Sequence, residues 1–142
     1  MQRLPKRTCL VFLFIMLLSP LAAFSAEPRP DCRVCGMWID QYLHTRHVFT
    51  TTDGDQVMFC SLACAAKYLK THKAEIKRMQ VADYQTTELV DTDEAVYLVD
   101  SDAPPVMSYV SIIAFADRKR AENFQKEHGG KLMPFSEAQD QL

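Results

Sequence analysis

The sequence predicts an α+β fold built from two tandem ββαβ units, and three observations carry that expectation. Strand-like and helix-like patterns follow one another in the same order twice, first over residues 38–84 and again over residues 95–135. Shifting the chain by 56 positions overlays Phe59 on Phe115, Ala65 on Ala121 and Tyr68 on Phe124, as an internal repeat would. With 48% hydrophobic and 24% charged residues among 142, the composition is that of a globular chain long enough for one compact core.

The N-terminus departs from that average. Arg3, Lys6 and Arg7 precede an apolar run over residues 9–18, followed by Ser19, Pro20 and small residues up to Ala26, the three-part plan of a secretory signal peptide. A bilayer span needs about 20 apolar residues, so a cleaved signal is expected rather than an anchor. Cleavage after Ser25 places Ala23 and Ser25 at the two small-residue positions, which makes residues 1–25 the signal peptide. No lipobox is present, because Cys9 comes too early and Cys32 follows Arg-Pro-Asp. An exported protein with no stable membrane anchor after cleavage is expected. Loss of three basic residues leaves 13 against 18 acidic ones, shifting the net charge from −2 to −5 and arguing against nucleic acid as a partner.

Residues 26–31, with Pro28 and Pro30, read as a flexible leader. The first unit is expected over residues 32–90. Mixed β-branched and aromatic residues over 38–49 and 56–59 flank the turn signal Asp53-Gly54, which predicts a hairpin. Ser61 is a candidate cap for a helix running to about Lys77, with Leu62, Ala65, Ala66 and Leu69 at helical spacing. A strand over residues 79–84 follows. The second unit, residues 91–142, repeats the order with strands at 95–99 and 112–115, a helix from Asp117 to about His128, and a strand at 131–135. Asp117 is its candidate cap and Gly129 its candidate stop.

Chemistry concentrates in the first unit. Cys32 and Cys35 stand in Cys-Arg-Val-Cys-Gly-Met, and Cys60 and Cys64 in Phe-Cys-Ser-Leu-Ala-Cys. Two short-spaced thiol pairs suit a soft-metal site, since each pair brings two sulfurs to one point, and Met37 beside the first pair favours Cu(I) over zinc. Cys64 falls in the first turn of the expected helix, where free amides favour a thiolate. An even set of cysteines in an exported chain also keeps open two structural disulfides or one reactive Cys-x-x-Cys. So short a loop gains little from a disulfide, and Gly36-Met37 leads into an apparent strand rather than the βαβ setting of a thioredoxin-type motif. Met58, Met79 and Met133 are expected to fill gaps in the core, whereas Met107, beside Pro104 and Pro105, is not. Trp38 and Tyr42 are expected in the core or as a lip over the site. His44 and His47, three apart in an expected strand, would point to opposite faces and not converge on one ion. No nucleophile and base pair, phosphate loop or acid/base carboxylate pair is evident.

The chain resembles the NosL-type accessory proteins of nitrous oxide reductase, which are copper chaperones exported across the inner membrane. The resemblance runs in order through Cys-Arg-Val-Cys-Gly-Met-Trp-Ile, Asp53-Gly54 ahead of Phe59, Val81-Ala82-Asp83-Tyr84 with Glu88-Leu89-Val90-Asp91, the stretch Ser101-Asp102-Ala103-Pro104-Pro105-Val106-Met107-Ser108, and Gly129-Gly130. It implies a pair of small ββαβ units, a non-enzymatic role in carrying Cu(I), and a copper-accepting periplasmic enzyme or its maturation machinery as partner. Carried over by position, Cys35, Met37 and Met107 become Cu(I) ligand candidates. Two features depart from the family pattern. The lipobox of many members is missing, and the segment Phe59-Cys60-Ser61-Leu62-Ala63-Cys64 resembles the Cys-x3-Cys half of TRASH and YHS metal-binding modules. The full candidate set is therefore Cys32, Cys35, Met37, Cys60, Cys64 and Met107, with Cu(I) as cargo or zinc in a closed four-sulfur site as the alternative.

Overall fold

A computed structural model describes residues 29–142. The predicted signal peptide and the start of the leader lie outside these residues. Strands β1 (His47–Thr51) and β2 (Gln56–Phe59) form an antiparallel hairpin, helix α1 (Leu62–His72) follows, and β3 (Ile76–Ala82) returns to pair with β1. Strand β4 (Leu89–Asp91) extends this sheet, giving the order β2-β1-β3-β4. Strands β5 (Val96–Val99) and β6 (Ile112–Phe115), helix α2 (Arg118–His128) and β7 (Lys131–Met133) repeat the plan in a second antiparallel sheet, β6-β5-β7. Helix α3 (Phe135–Gln139) ends the series. In each sheet the first strand of the unit is central, flanked by its hairpin partner and by the strand after the helix. The fold is thus α+β with the ββαβ order occurring twice.

Side-chain packing follows the repeat. Phe59 and Phe115 end β2 and β6, Ala65 and Ala121 face inward from the two helices, and all four are completely buried. Tyr68 stacks on His72 in α1 and Phe124 on His128 in α2, each with ring centroids 4.0 Å apart. Alternation along β5 sends Tyr97 and Val99 into a core shared with Phe49, Phe59, Leu62 and Phe135. Leu98 turns the other way, onto Ile113, Phe115 and Ala121 of a smaller core under α2. The second sheet is therefore covered on both faces, by α2 and by the first unit. Each large side chain buried there stabilises the fold by about 2–3 kcal/mol.

A carboxylate also ties the units together. Asp83, whose side chain is fully buried, accepts from the backbone of Gln85, Thr86 and Ala116 and bidentately from Arg120. Burial opposes its ionisation, but the amides of Ala116, Thr86 and Gln85 and the Arg120 guanidinium outweigh that and lower its pKa. Next to it, the Tyr84 amide donates to the Ala114 carbonyl at 2.7 Å.

Several boundaries differ from expectation. Residues 38–46 are not strand: Ile39–Gln41 form a 3-10 turn, because Trp38 is held in a bridge with Asp31. Helix α1 stops at His72 rather than near Lys77, and after a 3-10 turn at Lys73–Glu75 the chain pairs Ile76 with Thr51. Sheet pairing overrides the helix propensity of Lys-Ala-Glu there. Helix α2 is bounded as expected, with the Asp117 carboxylate accepting from the Arg120 amide and Gly129 at the C-terminal cap.

Candidate metal centre

The first pair of cysteines sits on a closed knuckle. The Cys32 amide donates to the Met37 carbonyl and the Gly36 amide to the Cys32 carbonyl, both at 2.8 Å. Gly36 takes a left-handed φ of 75°, which a side chain would resist, and that turns the chain back towards the Asp31–Trp38 bridge. The Arg33 amide donates to the Met58 carbonyl at 2.9 Å, fastening the knuckle to β2. The second pair straddles the turn from β2 into α1. Cys60 directly follows Phe59, its carbonyl accepting from the Thr45 hydroxyl at 2.7 Å, and Cys64 lies in the first turn of α1. Ser61 occupies the capping position in extended conformation, but its side chain bonds none of the helix amides.

These two devices bring all four sulfurs within 4.8 Å of one another. The Cys35 and Cys60 sulfurs are 3.5 Å apart and those of Cys60 and Cys64 3.7 Å, while all four remain separate thiols. A tetrahedron with metal–sulfur bonds of 2.3 Å has edges of about 3.8 Å, so the cluster is already at chelating dimensions. Cys32, Cys60 and Cys64 are buried; Cys35 is only half-buried and forms the open side of the cluster.

Protonation is uneven across the set. Burial opposes ionisation of Cys32, yet backbone amides of Cys35, Cys60 and Val34 outweigh it and bring its pKa down to about 7. For Cys35, burial dominates and, with the neighbouring Cys32 and Cys60 thiols, pushes it up to about 11 against the Met37 amide. The Cys60 thiol is pushed far up, first by its hydrogen bond to Cys64, then by burial and by the Cys64 charge. Four sulfurs this close cannot all carry charge without a cation among them.

The structure unites four of the six sequence-predicted donors. Met37 packs half-buried against the core that contains the cysteines. Met107 is 49% exposed and lies in a groove beside α1 that none of the cysteines lines. His44 and His47 do not converge: the His44 Nδ1–H donates to the Tyr84 carbonyl, and His47 is buried against Tyr97. Trp38 is exposed, 44% accessible, with the Arg29 guanidinium over its ring, whereas Tyr42 packs on the core. Sequence reasoning missed Thr45, whose role depends on a contact across 15 residues that no local pattern encodes.

Fold and site together define a small α+β protein with a preformed cluster of four soft donors, one of them open to solvent. The sequence model of the NosL family matches residues 23–142, and the chain belongs to that family. Among solved structures it is similar in fold to the copper chaperone NosL from Shewanella denitrificans, with 24% identity and a TM-score of 0.61 over 75% of this chain and 87% of that one. No curated protein matches the chain.

Proposed function

We propose that this protein is a periplasmic metallochaperone that binds Cu(I) and delivers it to a cuproenzyme, with nitrous oxide reductase or its maturation machinery as acceptor. The observation that carries this reading is the convergence of four sulfurs within 4.8 Å with only Cys35 reaching the surface. Cu(I) is satisfied by two or three soft ligands, so a four-sulfur cluster lets the ion change partners without leaving the protein. Transfer then needs no redox step. An acceptor sulfur adds to Cu(I) at the Cys35 side while a thiolate of this chain leaves, and copper stays Cu(I) throughout. Met37, one residue beyond Gly36, offers a neutral thioether contact that holds the ion weakly during exchange. Family membership and the copper-chaperone relative support copper as the cargo. The signal-like N-terminus supports export, and among the described residues no helix is long and apolar enough to cross a membrane.

The sulfur spacing favours zinc as a second reading. Separations of 3.5 and 3.7 Å fit the edges of a closed zinc tetrathiolate, a site that holds structure and delivers nothing. Competition titrations of Cu(I) and of Zn(II) against chelators, on reduced protein under anaerobic conditions, separate the two. The chaperone predicts tight Cu(I) uptake, weakened about tenfold or more by Cys35→Ser and less by Met107→Ala. Failure to take up Cu(I) while all four thiols are free sinks it. A zinc site predicts tight Zn(II) uptake abolished by Cys60→Ser, with weak copper binding.

A further inference from the structure

Between α1 and α3 lies a groove of about 960 Å³, separate in its lining from the cysteines. Its floor is apolar, formed by Ala66, Leu69, Met79, Val110 and Phe135. Six large apolar side chains are exposed among the described residues, and three of them, Met107, Tyr109 and Leu142, line this one groove. Exposed apolar surface concentrated in that way marks an interaction site. Met107 is further held at a φ of 57°, a left-handed conformation that a methionine resists and that keeps it half-exposed in the groove.

The charged residues say what would lie there. Lys67, Lys70 and Lys73 line the groove at intervals of three, on one face of α1 and its continuation. All three are exposed, and none forms an ion pair among the described residues. Asp140 is the only acidic residue in the lining. At the helical rise the lysines extend over about 9 Å, which matches a row of carboxylates along a peptide better than one small anion. This row of cations belongs to a chain whose net charge is −2.

We infer that the groove docks a short acidic amphipathic segment of a partner protein. Its apolar side chains rest on the floor between Tyr109 and Phe135, and its carboxylates meet Lys67, Lys70 and Lys73. Ala63 also lines the groove and is the residue before Cys64, so a segment bound there lies alongside the helix turn that carries the cysteine cluster. The inference stands on the groove and its charges and does not depend on which metal the cluster takes.

The test uses metal-free, reduced protein and two labelled peptides of about 12 residues, one of Leu and Glu at helical amphipathic spacing and one with Lys in place of Glu. The acidic peptide should bind in fluorescence anisotropy and shift amide resonances of Ala66, Met107 and Tyr109. Its affinity should fall about tenfold or more in the double variant Lys67→Glu with Lys70→Glu, whose exposed positions leave the core intact, and should fall again at high salt. Equal binding of both peptides, binding of neither, shifts confined to another surface, or a sedimenting dimer that buries Tyr109 would each overturn the inference.

Discussion

His47 is a proton-sensitive pin between the two units. It is 2% exposed, its Nδ1–H donates to the Thr45 carbonyl at 3.1 Å, and Nε2 accepts from the Tyr97 hydroxyl at 3.3 Å. That arrangement satisfies one neutral tautomer, and a second proton on Nε2 would displace the hydroxyl hydrogen that now points to it. Burial lowers the His47 pKa from 6.5 to about 4, with the Thr45 carbonyl only partly opposing the shift. The unfolded chain therefore binds a proton that the folded chain refuses between those two values, and stability must fall as pH falls through that window. The full linkage is about 3 kcal/mol, of which about 2 kcal/mol is lost between pH 8 and pH 5. Against a total stability of about 5–15 kcal/mol this is measurable. Urea unfolding of the metal-free, reduced protein at a series of pH values, compared with His47→Gln, isolates the contribution because the other histidines are common to both. Gln can keep bonds to Thr45 and Tyr97 without titrating. The wild-type curve should slope more steeply by about 2 kcal/mol over that range, and parallel curves for the two proteins would refute the argument.

Three further outcomes follow from other contacts. Asp83→Ala strips the Arg120 guanidinium and the amides of Gln85, Thr86 and Ala116 of their acceptor, so chemical denaturation should show a loss of about 3 kcal/mol or more. Since its folded pKa is depressed, the stability Asp83 supplies is present above its ordinary carboxylate pKa and disappears as pH falls through the lowered one, which places it below the His47 window. Gly130→Ala should cost more than Gly129→Ala in thermal unfolding: both have positive φ, but a methyl at Gly130 meets the Val99 carbonyl oxygen at 2.7 Å while that at Gly129 meets nothing. About 1–3 kcal/mol is expected for Gly129 from backbone strain alone, because its φ of 73° and ψ of −162° lie in a region that residues with a side chain avoid. Finally, loading with the proposed Cu(I) should raise the melting temperature of reduced protein, by about 2.7 kcal/mol of stabilisation at a hundredfold excess over Kd, and Cys35→Ser, binding about tenfold more weakly, should cut the gain to about 1.4 kcal/mol. An unchanged melting temperature would count against a preformed metal site.

The repeat was legible because its signals are local: Phe59 and Phe115 close strands, Ala65 and Ala121 face inward from helices, and Asp117 and Gly129 mark helix ends within a few residues. The convergence of the cysteine pairs was legible in outline because short spacing fixes each pair by itself. What joins the pairs was not. The Arg33–Met58 backbone bond and the Thr45–Cys60 contact depend on sheet register, which follows from pairings far apart in the chain. The same applies to residues 38–46, where a strand-like composition is overruled by the closure of the knuckle between Asp31 and Trp38. Met107 was correctly placed outside the core, but nothing in Pro-Pro-x-Met-Ser reveals that a groove runs past it.

Register also reveals what the second unit has in place of cysteines. His47 pairs with Phe59 as Val96 pairs with Phe115, so the strand-to-helix turns after the two phenylalanines are equivalent. One and five residues beyond Phe59 stand Cys60 and Cys64; one and five beyond Phe115 stand Ala116 and Arg120. The knuckle has a counterpart as well, because the Arg33 amide bonds the carbonyl before Phe59's residue and the Tyr84 amide bonds the carbonyl before Phe115's. Asp83, the residue before Tyr84, therefore sits where Cys32, the residue before Arg33, sits, facing Arg120 and the Ala116 amide across the same turn. One copy of the turn receives an anion and supplies its own fixed cation, so it is closed and permanently neutralised. The other gathers four potential anions and supplies no cation, which leaves a charge deficit that a soft metal ion can fill and, at the Cys35 side, vacate.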